Sequence, residues 1–252
     1  MKKTVQKSPI AATLVWFFYA VTAVLLSVLI SWALYSQANY GYGFWYQQLD
    51  IGAHIEEYGP QNRFRYGFEQ LPSEQHHRAF EQIRDAVHQQ GEGLADIHYT
   101  LPGRAPIPLL HEAEVRHLQD VADLIDAGRW LMLALALLWL PLALLCISLG
   151  MPPMRRRMGI TVFGVGAVIA WLVVAGPTQV FYQFHLWLFP AENEWFFYWQ
   201  DSLMSTLMKA PVLFGGIAAV IAIGALLLMP VLYWLGLRLS KNIVKQESGH
   251  GH

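Results

Sequence analysis

Four long stretches of the chain are almost wholly apolar, and the polar positions are gathered between them. Residues 8–49, 130–154, 158–191 and 210–237 contain no Lys, Arg, Asp or Glu, over 42, 25, 34 and 28 residues. A helix needs about 20 apolar residues to cross the hydrocarbon core of a bilayer. The apolar centres predict membrane-spanning helices at about 10–35, 130–150, 158–181 and 212–237. The remainder forms an insert, 36–129, and a shorter loop, 182–210. Inside the insert the pattern changes to one apolar face per helical turn. Phe80, Ile83 and Val87 predict a helix over Ser73–Gln90, capped by Ser73 after Pro72 and stopped at Gly91. Val115, Leu118 and Ile125, widened by Val121 and Leu124, predict a second over Glu112–Ala127, with Gly128 following. It is strongly amphipathic and leads straight into the second span, so it is expected to lie along the membrane surface.

These elements predict an all-α membrane protein with one polytopic domain. It has four transmembrane helices and a small, mostly helical domain between the first and second. Composition agrees: 55% of the 252 residues are hydrophobic and 14% charged, against about a quarter charged in soluble domains. That excludes a purely soluble enzyme and a disordered chain. A net charge of −1 offers no basic surface for nucleic acid. The first stretch is too long for the core of a secretory signal, and is read as an anchor.

Charge also sets orientation. Lys2, Lys3 and Lys7, Arg155–Arg157, and Arg238, Lys241 and Lys245 are nine of the 17 basic residues, accompanied by one acid, Glu247. With four spans these segments share one side, which the positive-inside rule makes cytoplasmic, together with both termini. The insert and the 182–210 loop are then extracytoplasmic. Tyr35, Tyr40, Tyr42, Trp45, Tyr46, Trp130, Trp187, Trp195, Tyr198 and Trp199 read as an interfacial belt on that outer side. Pro141, Pro177 and Pro230 sit within or near span ends as packing features. Cys146, the one cysteine, lies toward the cytoplasmic end of span two and reads as a small apolar filler.

Candidate chemistry rests on histidine. The string His111–His117 (HEAEVRH) resembles a zinc-protease motif, but its His spacing of six, rather than four, turns the rings about 120° apart. His77 and His88 are eleven residues apart, about 16 Å along a helix, and read as solvated surface. Spans one, two and four hold no His, which argues against a haem protein. The GHGH ending reads as a tail. Two histidines remain. His117 has Glu114 and Asp120 at i−3 and i+3, either of which could orient its ring. His185 lies in an apolar run where span three meets the interface, and a polar ring is costly there without a partner. No G-x-S-x-G elbow, Gly-rich phosphate loop or outward-facing Cys is present. The expected chemistry is His acid–base catalysis with the attacking group supplied by substrate, and no metal or cofactor.

Two segments carry a resemblance. In 109–125 (LLHEAEVRHLQDVADLI), Glu114, His117, Asp120, Val121 and Leu124 match a family pattern; in 184–204, Phe184, His185, Phe189, Trp195, Phe197, Asp201 and Leu203 match a second. The residue after His117 is Leu where Met is common, and residues 40–110 show no matching motif. The chain resembles the Lit family of integral membrane proteins, whose characterised members are lipoprotein intramolecular transacylases. The resemblance implies a four-span enzyme of the bacterial cytoplasmic membrane, with membrane lipids and a diacylglyceryl lipoprotein as partners. It would move the sn-2 acyl chain to the N-terminal amine of the lipidated cysteine, giving the lyso form. It implies His117 as general base with Glu114 or Asp120, and His185 as oxyanion stabiliser or acid with Asp201 and Trp195 in support, the two roles being exchangeable. The alternatives are a lipid- or protein-binding assembly factor without enzymatic activity, and an acyltransferase or hydrolase for another lipid. Oligomeric state is left open.

Overall fold

A helix satisfies all of its own backbone N–H and C=O groups, so an apolar run in hydrocarbon has little other choice. The computed structural model describes residues 8–190 and 192–249. Among them the helices are α1 (Pro9–Gln37), α2 (Tyr42–Gln48), α3 (Ile51–Tyr58), α4 (Ser73–His88), α5 (Glu112–Leu149), α6 (Met154–Ala175), α7 (Pro177–Leu188), α8 (Leu203–Leu207) and α9 (Val212–Gly249). Strands β1 (His98–Tyr99) and β2 (Ile107–Pro108) pair antiparallel between α4 and α5. Helices α1, α5, α6 and α9 are each long and apolar enough to cross a membrane. The chain forms two compact units, one of residues 8–33, 130–177 and 221–249, the other of 34–129 and 178–220.

In the first unit Trp16, Tyr19, Ala143 and Cys146 make a buried cluster, packed by Trp139, Ile160, Tyr233 and Leu237. Trp16 and Tyr19 pair their polar atoms across helices. Trp16 Nε1 donates to the Tyr233 hydroxyl at 2.8 Å, and the Tyr19 hydroxyl donates to the Tyr233 carbonyl at 2.5 Å. Arg157 donates to the Tyr233 hydroxyl at 3.3 Å, and Arg156 to Thr13 Oγ1 at 3.0 Å. Gly236 lets these helices close: a Cβ there would lie 2.5 Å from the Tyr19 hydroxyl and 3.0 Å from the Trp139 ring.

In the second unit Tyr42 stacks on Phe80 at 4.0 Å, and its hydroxyl donates to the Leu207 carbonyl at 2.8 Å. Ile51, Ile55, Phe68, Ile83, Leu94, Leu109 and Leu203 complete this core. Lys209 donates from Nζ to the Leu49 carbonyl at 2.6 Å.

Several expectations change in detail. The stripe of α4 is found, but Ser73 is its first residue rather than its cap, and the helix ends at His88 because Gln90 and Gly91 turn to positive φ. The surface-lying helix is not found. Its residues are the opening turns of α5, which continues without a break through Gly128 to Leu149. Leu118 and Ala122 are buried alongside Glu114 and His117, so that face is covered by protein. Span three ends at Ala175, where Gly176 at φ 78° and Pro177 separate α6 from α7. Neither His88 nor His77 is solvated surface. Arg129 donates to His88 Nδ1 at 3.1 Å and to its carbonyl at 2.8 Å, and His77 packs edge-on against Tyr42 and Tyr46. Lys2, Lys3, Lys7, His250 and His252 lie outside the described residues, as does the side chain of Glu247.

Replacing Gly236 with Val forces its branched side chain onto Tyr19 and Trp139. The expected cost is about 1–3 kcal/mol, read as a lower unfolding temperature of the purified protein in detergent. An unchanged temperature would show that these helices do not depend on close approach at Gly236.

Candidate active site

The polar first turns of α5, before its apolar span starts near Trp130, carry Glu114 and His117 on the inward face. Helix α7 carries His185, and the segment after it carries Trp195 and Phe197. The fold brings the two histidines together, with ring centroids 6.2 Å apart and planes 30° from parallel. Their exposures are only 8% and 9%. Phe189 lies 5.0 Å from His117 and 5.2 Å from His185. Trp195 stacks on His185 at 4.7 Å, Phe181 approaches it at 4.1 Å, and Phe197 lies 6.0 Å from His117. The imidazoles therefore share an aromatic box.

The box sets their protonation. Burial pushes His117 down to about 4, with His185 as a second cause, and burial also lowers His185. Both are neutral rings at neutral pH. The Phe181 carbonyl can only accept, so His185 Nδ1 carries the proton and donates to it at 2.8 Å. Its Nε2 keeps the lone pair. Among the described residues His117 Nδ1, which is buried, has no hydrogen-bond partner.

The carboxylates stand elsewhere than their spacing implied. Glu114, 1% exposed, accepts from the His111 backbone N–H at 2.7 Å, the Ser202 hydroxyl at 2.5 Å and the Met204 N–H at 3.1 Å. Burial nonetheless raises its pKa, against the lowering effect of these bonds. Ser202 Oγ in turn caps α8 by accepting from the Ser205 N–H at 2.8 Å. Asp120 accepts from Asn193 Nδ2 at 2.8 Å. Asp201 pairs with Arg63 at 3.2 Å, and the Arg63 backbone N–H donates to Gln200 at 2.8 Å. None of the three carboxylates is bonded to His117 or His185. They tie down the segments around the rings.

Sequence reasoning missed Ser202, Met204, Asn193 and the Phe181 carbonyl. The last had a signal, since an imidazole at i+4 on a helix can reach that carbonyl. His111 was also passed over. Its ring lies 5.0 Å from Phe64 and 5.8 Å from Phe197, and its Nε2 is 3.7 Å from Glu114. Among the described residues no three His, Cys, Asp or Glu side chains are grouped so as to hold a metal ion.

The sequence model of the family described as lipoprotein intramolecular transacylase Lit matches residues 10–210. The chain belongs to the Lit family. It is therefore an acyltransferase of lipoproteins, and the reading as an assembly factor without enzymatic activity falls. A solved structure of the membrane integral lipoprotein intramolecular transacylase Lit from Bacillus cereus, carrying a histidine-to-arginine substitution, aligns with a TM-score of 0.58. The alignment covers 95% of this chain and 94% of that one at 14% identity, a likeness of fold. Comparison with curated proteins finds no match.

The buried neutral histidines give this Lit protein an acid-sensitive fold. Burial lowers His54, with Lys209 adding to it, to about 4, and also lowers His76 and His88. Unfolded, these rings and the two site rings titrate near 6.5. Between pH 6.5 and about 4 the unfolded chain thus binds more protons than the folded one, and stability present above 6.5 is lost as pH falls. Glu114, raised, works in the opposite direction, as one group against five. The expected result is an unfolding temperature that drops from pH 6.5 toward 4. A flat profile across that window would contradict neutral burial.

Proposed function

We propose that this Lit protein transfers the sn-2 acyl group of a diacylglyceryl-cysteine lipoprotein to the α-amine of the same cysteine. The product is an N-acyl lyso-lipoprotein. The observation that carries this reading is a pair of buried, neutral imidazoles inside an aromatic box, in a chain of this family. Amine and ester belong to one molecule, so the enzyme mainly orients them.

An α-amine titrates near 7.7–8.0 and holds its proton weakly at neutral pH. Once that proton has left to solvent, the neutral amine nitrogen attacks the ester carbonyl and His185 Nε2 accepts one of its remaining N–H protons. His117, kept neutral, donates an N–H to the oxyanion of the tetrahedral intermediate, as a neutral imidazole does when its surroundings prevent ionisation. Protonated His185 then delivers the proton to the sn-2 glycerol oxygen as the C–O bond breaks. An amide C–N bond replaces an ester C–O bond, and no protein nucleophile takes part. The bond from His185 Nδ1 to Phe181 supports this division, which exchanges the roles implied by the sequence resemblance. Glu114, Asp120 and Asp201 act through the segments they tie down, and Trp195 holds the His185 ring.

The same reading places the site on the extracytoplasmic face of the bacterial cytoplasmic membrane, with both termini inside. Its support is the basic residues of the N-terminus, the 155–157 connection and the tail.

The experiment is mass spectrometry of lipoprotein N-terminal peptides from a host without other N-acylation enzymes. Lyso-form peptides are expected with the parent chain. His117→Ala or His185→Ala should lower their yield at least about a hundredfold while the protein still inserts in membranes. His117→Gln keeps an N–H donor and should retain more activity than His185→Gln. Near-parental yield from either alanine variant would overturn the assignment.

A further inference from the structure

A cleft of about 300 Å³ lies between α4 and β1, lined by Gln75, Arg78 and Gln82 on one side and His98, Thr100 and Leu109 on the other. A second cleft of about 220 Å³ shares Gln82 and continues past Gln89 to Asp96. From Gln75 to Gln89 the α4 side of this groove runs about 21 Å. Its lining differs from the aromatic box in being mainly polar: Gln75, Gln82 and Gln89 carry amides that both donate and accept, beside Arg78, Asp85, Glu92 and Asp96.

The opposite wall is a strand edge. β1 pairs with β2 alone among the described residues. The Leu109 N–H donates to the Ile97 carbonyl at 2.8 Å, and His98 stands opposite Pro108 in the register. Bonding alternates along an antiparallel pair, so Ile97 and Tyr99 address β2. The N–H and C=O of His98 face the other way. A free edge beside amide side chains is a surface for an extended polypeptide, read through its backbone and tolerant of its sequence.

The groove also lies within reach of the site. Leu109 lines it, and the chain runs from Leu109 into α5 and on to His117. Three extended residues and five helical ones span at most about 18–20 Å. Five or six residues of extended peptide cover that distance.

We propose that the groove between α4 and β1 holds the polypeptide that follows the lipidated cysteine of the substrate, added as a strand along the free edge of β1. This rests on the chain being a lipoprotein acyltransferase. A strand edge beside Gln75, Gln82 and Gln89 holds an extended polypeptide through its backbone.

The test uses the full-length enzyme in lipid nanodiscs and two synthetic diacylglyceryl-cysteine lipopeptides, one with ten residues after the cysteine and one with a single residue. Gln82→Trp fills the groove from an exposed position. His98→Pro removes the outward N–H. A proline is tolerated where the N–H faces away from the ladder, and Ile97 before it is already extended. Both variants should raise KM for the long lipopeptide about tenfold, the loss of one or two backbone hydrogen bonds, with kcat unchanged. Neither should alter turnover of the short one. Unfolding temperatures are measured alongside; if one variant does not fold, the other decides. Equal losses on both substrates, or no loss on either, overturn the proposal. Failure of the transacylase reading shows differently, as no N-acyl product from the parent enzyme with either lipopeptide.

Discussion

A carboxylate removed from water must be given donors, and the arrangement of the site follows from how Glu114 meets that demand. Its donors are the His111 N–H, the Ser202 hydroxyl and the Met204 N–H, so one side chain joins the start of α5 to the start of α8. Between α5 and α8 in sequence lie His185, Trp195 and Phe197, which build the box. Leaving a buried group of this kind with unmade bonds costs about 1–3 kcal/mol or more. The three bonds thus hold His117, one turn along α5, in register with the segment that carries its aromatic neighbours. Asp120 with Asn193 and Asp201 with Arg63 add polar ties to the same segment.

With position fixed by hydrogen bonds, protonation is governed by packing. The rings of Phe181, Phe189, Trp195 and Phe197 offer the imidazoles little solvation, so charge is disfavoured on both. A pair of like cations at this separation would also repel. The box therefore suits a reaction in which one proton passes through a single ring while the other remains a neutral donor. In the proposed transfer, burial of the rings also disfavours water, which would compete with the amine for the acyl group.

Much of this was legible in the sequence, and the boundary of what was not has physical causes. The four spans could be read because hydrocarbon permits an apolar run little but a helix. His117 and His185 stood out because a polar ring in apolar company needs a reason. The local patterns misled where a tertiary partner won. Gly128 looked like a stop, yet nothing around it prevents helix and α5 runs on. Glu114 and Asp120 looked like neighbours of His117 by helical spacing, but a carboxylate turns to the strongest donors it can find. For Glu114 two of these lie 88 and 90 residues away, and no short-range pattern points to them. His88 looked solvated because its partner, Arg129, lies 41 residues off.

One side chain in the core of the second unit bears on how such an enzyme spares itself. In the proposed transfer, a catalyst that brings an ester to an amine is in danger of acylating its own amines. Lys209 is the one lysine between Lys7 and Lys241. Its nitrogen is engaged by the Leu49 carbonyl, in the layer that also holds Tyr42 and Leu207. The other seven basic residues of that unit are all arginines, whose guanidinium stays protonated and has no lone pair to offer. In that proposed transfer the free primary amine around this site is left to the substrate.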